Sequence, residues 1–147
     1  MKERWWTAPA EADDGRTVIV TGRDYLDSII EGGKYRFLVR VGWNYECGAG
    51  GMPSEADARQ MEAATDALHA AFNKDKVAYM TGIYTGDGRR DWIFYTKNLA
   101  IFGKVFNRAL EPLDQMPLEI EAEEDADWEE YHQMREASYI PPDEEEK

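Results

Sequence analysis

The sequence predicts an α+β fold: a ferredoxin-like βαββαβ antiparallel sheet with an N-terminal extension and a C-terminal helix. Three observations predict it. Tyr35 to Trp43 alternates strictly, with Tyr35, Phe37, Val39, Val41 and Trp43 on one side and Arg36, Leu38, Arg40 and Gly42 on the other. That is the period of a strand with one buried face. Two segments carry apolar residues at helical spacing, one after Ser54 and one after Asn98. Between them, Val77 to Tyr84 and Arg90 to Thr96 read as strands joined at Gly86-Asp87-Gly88, because an Asp-Gly pair accepts the positive φ angles of a tight hairpin turn.

The elements follow in chain order. Trp5 to Ala10 and Thr17 to Val20 are short strand candidates, with Asp13-Asp14-Gly15 as the turn between them. Asp24 to Ile30 is a short helix candidate that stops at Gly32-Gly33. After the Tyr35–Trp43 strand comes a glycine-rich loop, Cys47 to Pro53. Ser54 then caps a helix whose first turn holds Glu55 and Asp57, and acids there oppose the positive end of the helix dipole. Met61, Ala64, Thr65, Leu68 and Phe72 form its buried stripe. Asn98 caps the next helix, with Phe102, Val105, Phe106, Ala109 and Leu113 on one face and Pro112 marking its end. Leu118, Ile120 and Ala122 alternate with Glu119, Glu121 and Glu123 in a last strand. Asp125 or Asp127 starts a helix bearing Trp128 and Tyr131. The division is residues 1–34 as a hairpin and short-helix extension, 35–137 as the ferredoxin-like domain with its C-terminal helix, and 138–147 as a disordered acidic tail.

In the expected topology the Tyr35–Trp43 and Leu118–Glu123 strands are neighbours. Arg36 and Arg40 would then face Glu119, Glu121 and Glu123, on the side of the sheet away from the two helices. Opposite charges across adjacent strands are worth up to about 1 kcal/mol per pair. The charge pattern and the hydrophobic pattern therefore point to one strand order.

Composition narrows the function classes. Of the net charge of −13, the stretch from Glu119 to Lys147 carries −11, with 13 acids and 2 bases. Such a chain is repelled by nucleic acid and by anionic membranes and attracted to a basic partner, although acidic tails also serve solubility alone. No apolar run approaches the roughly 20 residues of a membrane span, and Met1 to Trp6 shows no secretory h-region. Cys47 is the only cysteine, which rules out an internal disulfide and fits a reducing cytoplasm.

No catalytic constellation stands out. His69 and His132, the only histidines, read as surface or boundary residues rather than a triad or metal site. Cys47 lies several residues before a helix and beside Glu46, a poor setting for a thiolate. The Gly48–Pro53 loop precedes a helix and could hold an anion, but it lacks the Gly-Lys-Ser or Gly-Lys-Thr of a P-loop, and a plain connection explains it better. Glu123, Glu124, Asp125, Asp127, Glu129 and Glu130 lack the offsets and the glycine of a calcium loop, so a solvated helix N-terminus accounts for them. Arg89 and Arg90, beside Trp92 at the hairpin tip, suit bidentate recognition of a carboxylate or phosphate. Equally, one of them could pair with Asp87, Asp91 or the acidic C-terminal segment. No cofactor is expected.

From Trp43 onward three strings carry a family resemblance. They are Trp43 to Tyr45 followed by Gly51-Met52-Pro53, then Thr85 to Thr96, and finally Asp127 to Tyr131. Together they resemble the bacterial domain-of-unknown-function family numbered six-nine-five. That family is similar to the regulator of ribonuclease E activity B, an acidic ferredoxin-like protein that inhibits an RNA-degrading enzyme by binding it. The resemblance carries over no catalytic residues. It implies a non-enzymatic cytoplasmic protein-binding regulator, an inhibitor of a nuclease or of another basic protein. The expected binding residues are Arg89, Arg90, Trp92, Glu123, Glu124, Glu129 and Glu130. The alternatives are a toxin-immunity protein, and an enzyme or small anionic-ligand binder using Arg89, Arg90 and the Gly48–Pro53 loop.

Overall fold

A computed structural model describes residues 3–11 and 15–142. The elements run β1 (Trp5–Glu11), β2 (Thr17–Arg23), α1 (Asp27–Gly32), β3 (Phe37–Asn44), α2 (Glu55–Lys74), β4 (Ala78–Gly86), β5 (Arg89–Thr96), α3 (Leu99–Leu110), β6 (Leu118–Glu124) and α4 (Glu129–Ser138). The fold is mixed α and β, with one antiparallel sheet of six strands among the described residues, ordered β1-β2-β4-β5-β3-β6.

This order differs from the four-stranded sheet expected. β1 and β2 do not stand apart as an extension; β2 pairs with β4, with Val20 opposite Tyr84, and continues the sheet. The proposed turn residues Asp13 and Asp14 lie outside the described residues. At the other end, β3 pairs with β6 in register Arg40–Glu121 and Val41–Ile120, so those two strands are neighbours as the charge pattern required.

The local rules hold at the β4–β5 turn and at the starts of α2 and α3. Asp87 and Gly88 take φ of 54° and 79°, the two positive values of the hairpin turn. Ser54 accepts the Asp57 N–H at 3.1 Å, and Asn98 accepts the Ile101 N–H at 3.0 Å. The helix placed over Asp24–Ile30 begins instead at Asp27. Asp24 is buried and its carboxylate binds Arg4 at 2.9 Å and the Tyr139 hydroxyl at 2.8 Å, so this segment is tied down by side chains rather than by helical turns.

Both faces of the sheet are covered, where one buried face was expected. α2 and α3 close one side over Val39, Val41, Trp92 and Phe94, with Phe102 packed on both Phe72 and Phe94. On the other side lie Trp6, Leu38, Tyr79, Ile93, Tyr95, Trp128 and Tyr131, closed by α4 and by the segment around Leu26. Leu38, assigned to the outward set, is therefore 3 % exposed. Trp128 anchors this second layer: its ring stacks on Tyr95 at 4.1 Å, and its Nε1–H donates to the Tyr35 carbonyl at 2.7 Å. Ser138 and Tyr139, assigned to a disordered tail, also pack: Ser138 Oγ accepts the Trp6 indole N–H at 3.0 Å. Residues 143–147 of that segment lie outside the described residues.

Burial fails at β6. Ile120, expected in the core, is 52 % exposed, and Phe37 is only partly buried. β6 is an edge strand, and the two-helix layer does not reach across it.

Candidate functional site

Successive residues of a strand point to opposite faces, and this rule separates the two hairpin arginines. Arg89 lies on the α4 side. Its Nε donates to Asp91 Oδ1 at 2.9 Å and its Nη1 to Asn44 Oδ1 at 2.9 Å, while Glu119 Oε2 stands 3.6 Å away. Its guanidinium crosses β3 over Gly42, where a Cβ would fall 1.9 Å from Nη2. Arg89 is thus the structural pair weighed in the sequence, holding β5 to β3 and β6. It also lines a groove of about 510 Å³ with Val20, Tyr84, Asp91 and Met134.

Arg90 lies on the α2 side, with its guanidinium 5.5 Å from the centre of the Trp92 ring. It lines a separate groove of about 470 Å³. Among the described residues the two arginines therefore face away from each other and do not share a pocket. Trp92 is corrected too: it is 0 % exposed and its Nε1–H donates to Thr65 at 2.8 Å, so it is a core residue with no surface for a partner.

The Gly48–Pro53 loop is latched to the hairpin tip. Gly51 accepts the Gly88 N–H at 3.0 Å and the Tyr45 hydroxyl at 2.7 Å. Gly51 has φ 76°, and a Cβ there would come within 2.8 Å of the Asp87 nitrogen. The loop's close approach explains its glycine, and its contacts brace the turn.

The predicted acids do come together. Glu123, Glu124, Glu129 and Glu130 surround a polar hollow of about 350 Å³ with Asp125 and Gln133. They are not equivalent. Glu123, Glu124 and Glu129 are exposed; Glu124 pairs with Arg36 at 3.0 Å across β6–β3. Glu130 is half-buried, 3.5 Å from Arg40, and accepts the Tyr84 hydroxyl at 2.8 Å. Burial, then the Glu130 charge, drives the Tyr84 hydroxyl far above the ordinary tyrosine range. Glu130 therefore belongs to the frame of the site more than to its contact surface. Asp125 is spoken for as well: its carboxylate accepts the Tyr95 hydroxyl at 2.7 Å and the Glu129 and Glu130 N–H groups at 3.0 and 3.1 Å.

Sequence reasoning missed the open backbone edge. Along β6 the exposed Glu119, Glu121, Glu123 and Glu124 flank a strand that has no neighbour on its outer side among the described residues. The signal was present in the alternating acids of Leu118–Glu124, which suit an edge and not an interior strand. Among the described residues no three His, Cys, Asp or Glu side chains converge as a metal-ligand set, and no helix is long and apolar enough to cross a membrane.

No curated protein and no solved structure matches the chain. A family of unknown function, DUF695, matches residues 3–134, which takes in all six strands, α1 to α3 and most of α4. The match covers most of the chain, and the chain belongs to that family.

Proposed function

We propose that this protein is a non-catalytic cytoplasmic regulator that binds a partner protein with a basic surface along the β6–α4 edge. The observation behind this reading is the open β6 edge bordered by exposed Glu119, Glu121, Glu123, Glu124 and Glu129. A bare edge offers backbone donors and acceptors to an incoming strand, and side chains on alternate positions select it. Acids along the edge repel a second copy of the same edge and attract a lysine- or arginine-rich one. We further propose that β4-β5-β3-β6 with α2 and α3 form a ferredoxin-like unit to which β1 and β2 are added; the antiparallel order of those four strands supports it. If the family is akin to the regulator of ribonuclease E activity B, as the sequence resemblance implies, the partner is a nucleic-acid-processing enzyme with a basic substrate groove.

Binding kinetics test this reading on a partner recovered by affinity capture from the native host. The on-rate should fall steeply as salt rises, because exposed charges are screened beyond about 8 Å at physiological ionic strength. Replacing Glu121, Glu123, Glu124 and Glu129 by Gln should slow association more than it speeds dissociation. Glu130 is left in place because it anchors Arg40 and Tyr84. An on-rate indifferent both to salt and to the four substitutions would remove the acidic edge from the binding site.

A further inference from the structure

Of the arginines that are not fully exposed, Arg4, Arg23, Arg40, Arg89 and Arg135 each have a carboxylate oxygen within 4.0 Å. Arg90 alone has none among the described residues. Its Nε is buried and meets no acceptor. Arg90 is partly exposed and Glu62 acts on its charge from beyond ion-pair distance, but a buried donor that meets no acceptor is costly, and a fold that keeps one needs a reason. The face of Trp92 lies beside the guanidinium but offers no acceptor to its Nε.

The surroundings of Arg90 are those of a small-molecule site. The groove of about 470 Å³ lies between α2 and the strands β2, β4 and β5, where the two-helix layer stops short of the outer strands. Its floor on the sheet combines apolar Ile19 and Ile83 with Thr21 and Thr85. Thr85, beside Arg90, is largely buried. On the α2 side, Glu62 and Asp66 bring two exposed carboxylates to the rim. A pocket of a few hundred Å³ with an apolar floor and a few placed polar groups is the usual form of such a site.

We propose that this groove binds a free α-amino acid with an apolar side chain. The ligand carboxylate meets the Arg90 guanidinium, its ammonium faces Glu62 and Asp66, and its side chain lies on Ile19 and Ile83. Arginine suits this role because its planar fork holds a carboxylate bidentately. A simple anion would satisfy Arg90 but would meet the two α2 carboxylates unfavourably; a zwitterion satisfies both walls. The site lies on the α2 side of the sheet, away from β6, and does not depend on the partner-binding reading.

The test is titration of the full chain with L-leucine, followed by calorimetry and by the Arg90 side-chain Nε–Hε resonance. The controls are 4-methylpentanoate, which lacks the ammonium, and isopentylamine, which lacks the carboxylate. Leucine should bind saturably and shift the Arg90 resonance, with each control at least about tenfold weaker, the loss expected when one charged contact is removed. Arg90→Met should abolish binding, and Arg90→Lys, which keeps the charge should the larger change disturb folding, should weaken it by about tenfold. Absence of saturable leucine binding at millimolar concentrations overturns the proposal. So does equal affinity for 4-methylpentanoate, or an Arg90→Lys protein that binds like the wild type.

Discussion

A methyl group added at Gly22 or at Gly42 would meet two different obstacles, and the difference makes a test. At Gly22 the new Cβ would lie 2.2 Å from an atom of the Trp6 ring, which is buried and held by its bond to Ser138. At Gly42 it would lie 1.9 Å from Arg89 Nη2 and 2.9 Å from Asp91 Oδ1, the far ends of two flexible side chains at a partly exposed site. Gly22→Ala should cost about 2–3 kcal/mol, within the range for overpacking a core. Gly42→Ala should cost about 1 kcal/mol, because Arg89 can swing away and lose only its hydrogen bonds. Denaturant unfolding measures both, and equal costs would mean that Trp6 is not the rigid wall described. Neither clash was legible in the sequence, since each depends on a side chain from another strand. The Asp87–Gly88 turn was legible, because its constraint is the φ of two adjacent residues.

At the scale of elements, one carboxylate, Asp125, organises the start of α4. Burial pushes Asp125 up, but the hydrogen bonds from the Tyr95 hydroxyl and from the Glu129 and Glu130 N–H groups outweigh it, and the group sits below the ordinary aspartate range. A folded-state pKa below the unfolded one stabilises above the unfolded value, about 3.9, and that contribution is lost as pH falls through the folded value. Stability should therefore drop on acidification below about pH 4, and Asp125→Asn should flatten this part of the curve while costing about 1–2 kcal/mol at neutral pH. Fluorescence-monitored unfolding across a pH series would show it; an unchanged acid limb in the variant would assign the acid loss to other carboxylates. The sequence placed Asp125 or Asp127 at this helix start because an acid there suits any helix N-terminus. It could not reveal Tyr95 as a donor to the same carboxylate. β6 went the other way: Leu118, Ile120 and Ala122 have the spacing of a buried face. Yet Val41 is fully buried and its register partner Ile120 is half in water. Periodicity reports which side a residue faces, and only the strand order says whether anything covers that side.

For the whole molecule, the second face of the sheet is built from the two ends of the described chain. Arg4 Nη2 donates to the Ile140 carbonyl at 2.6 Å, Trp6 reaches Ser138, and the Tyr131 hydroxyl donates to the Arg23 carbonyl. The sequence read these segments as an extension and a tail because their partners lie up to 136 positions away, beyond the reach of any local pattern. The strand, helix, strand, strand, helix, strand series was legible because its signals are local; the outer strands and their lid were not. The Arg90 groove was half legible, as an arginine beside a tryptophan, but its walls come from α2 and β2. That meeting of the ends makes the fold nearly a closed ring. Arg4 and Ile140 are then neighbours in space although 136 positions separate them. A circular permutant that joins the present ends through a short flexible linker and opens between Gly48 and Gly50, where a Cβ at either glycine would meet nothing within 4 Å, should keep its near-ultraviolet dichroism and cooperative unfolding. A molten permutant would show that the order of the chain, and not only its contacts, holds the second layer in place.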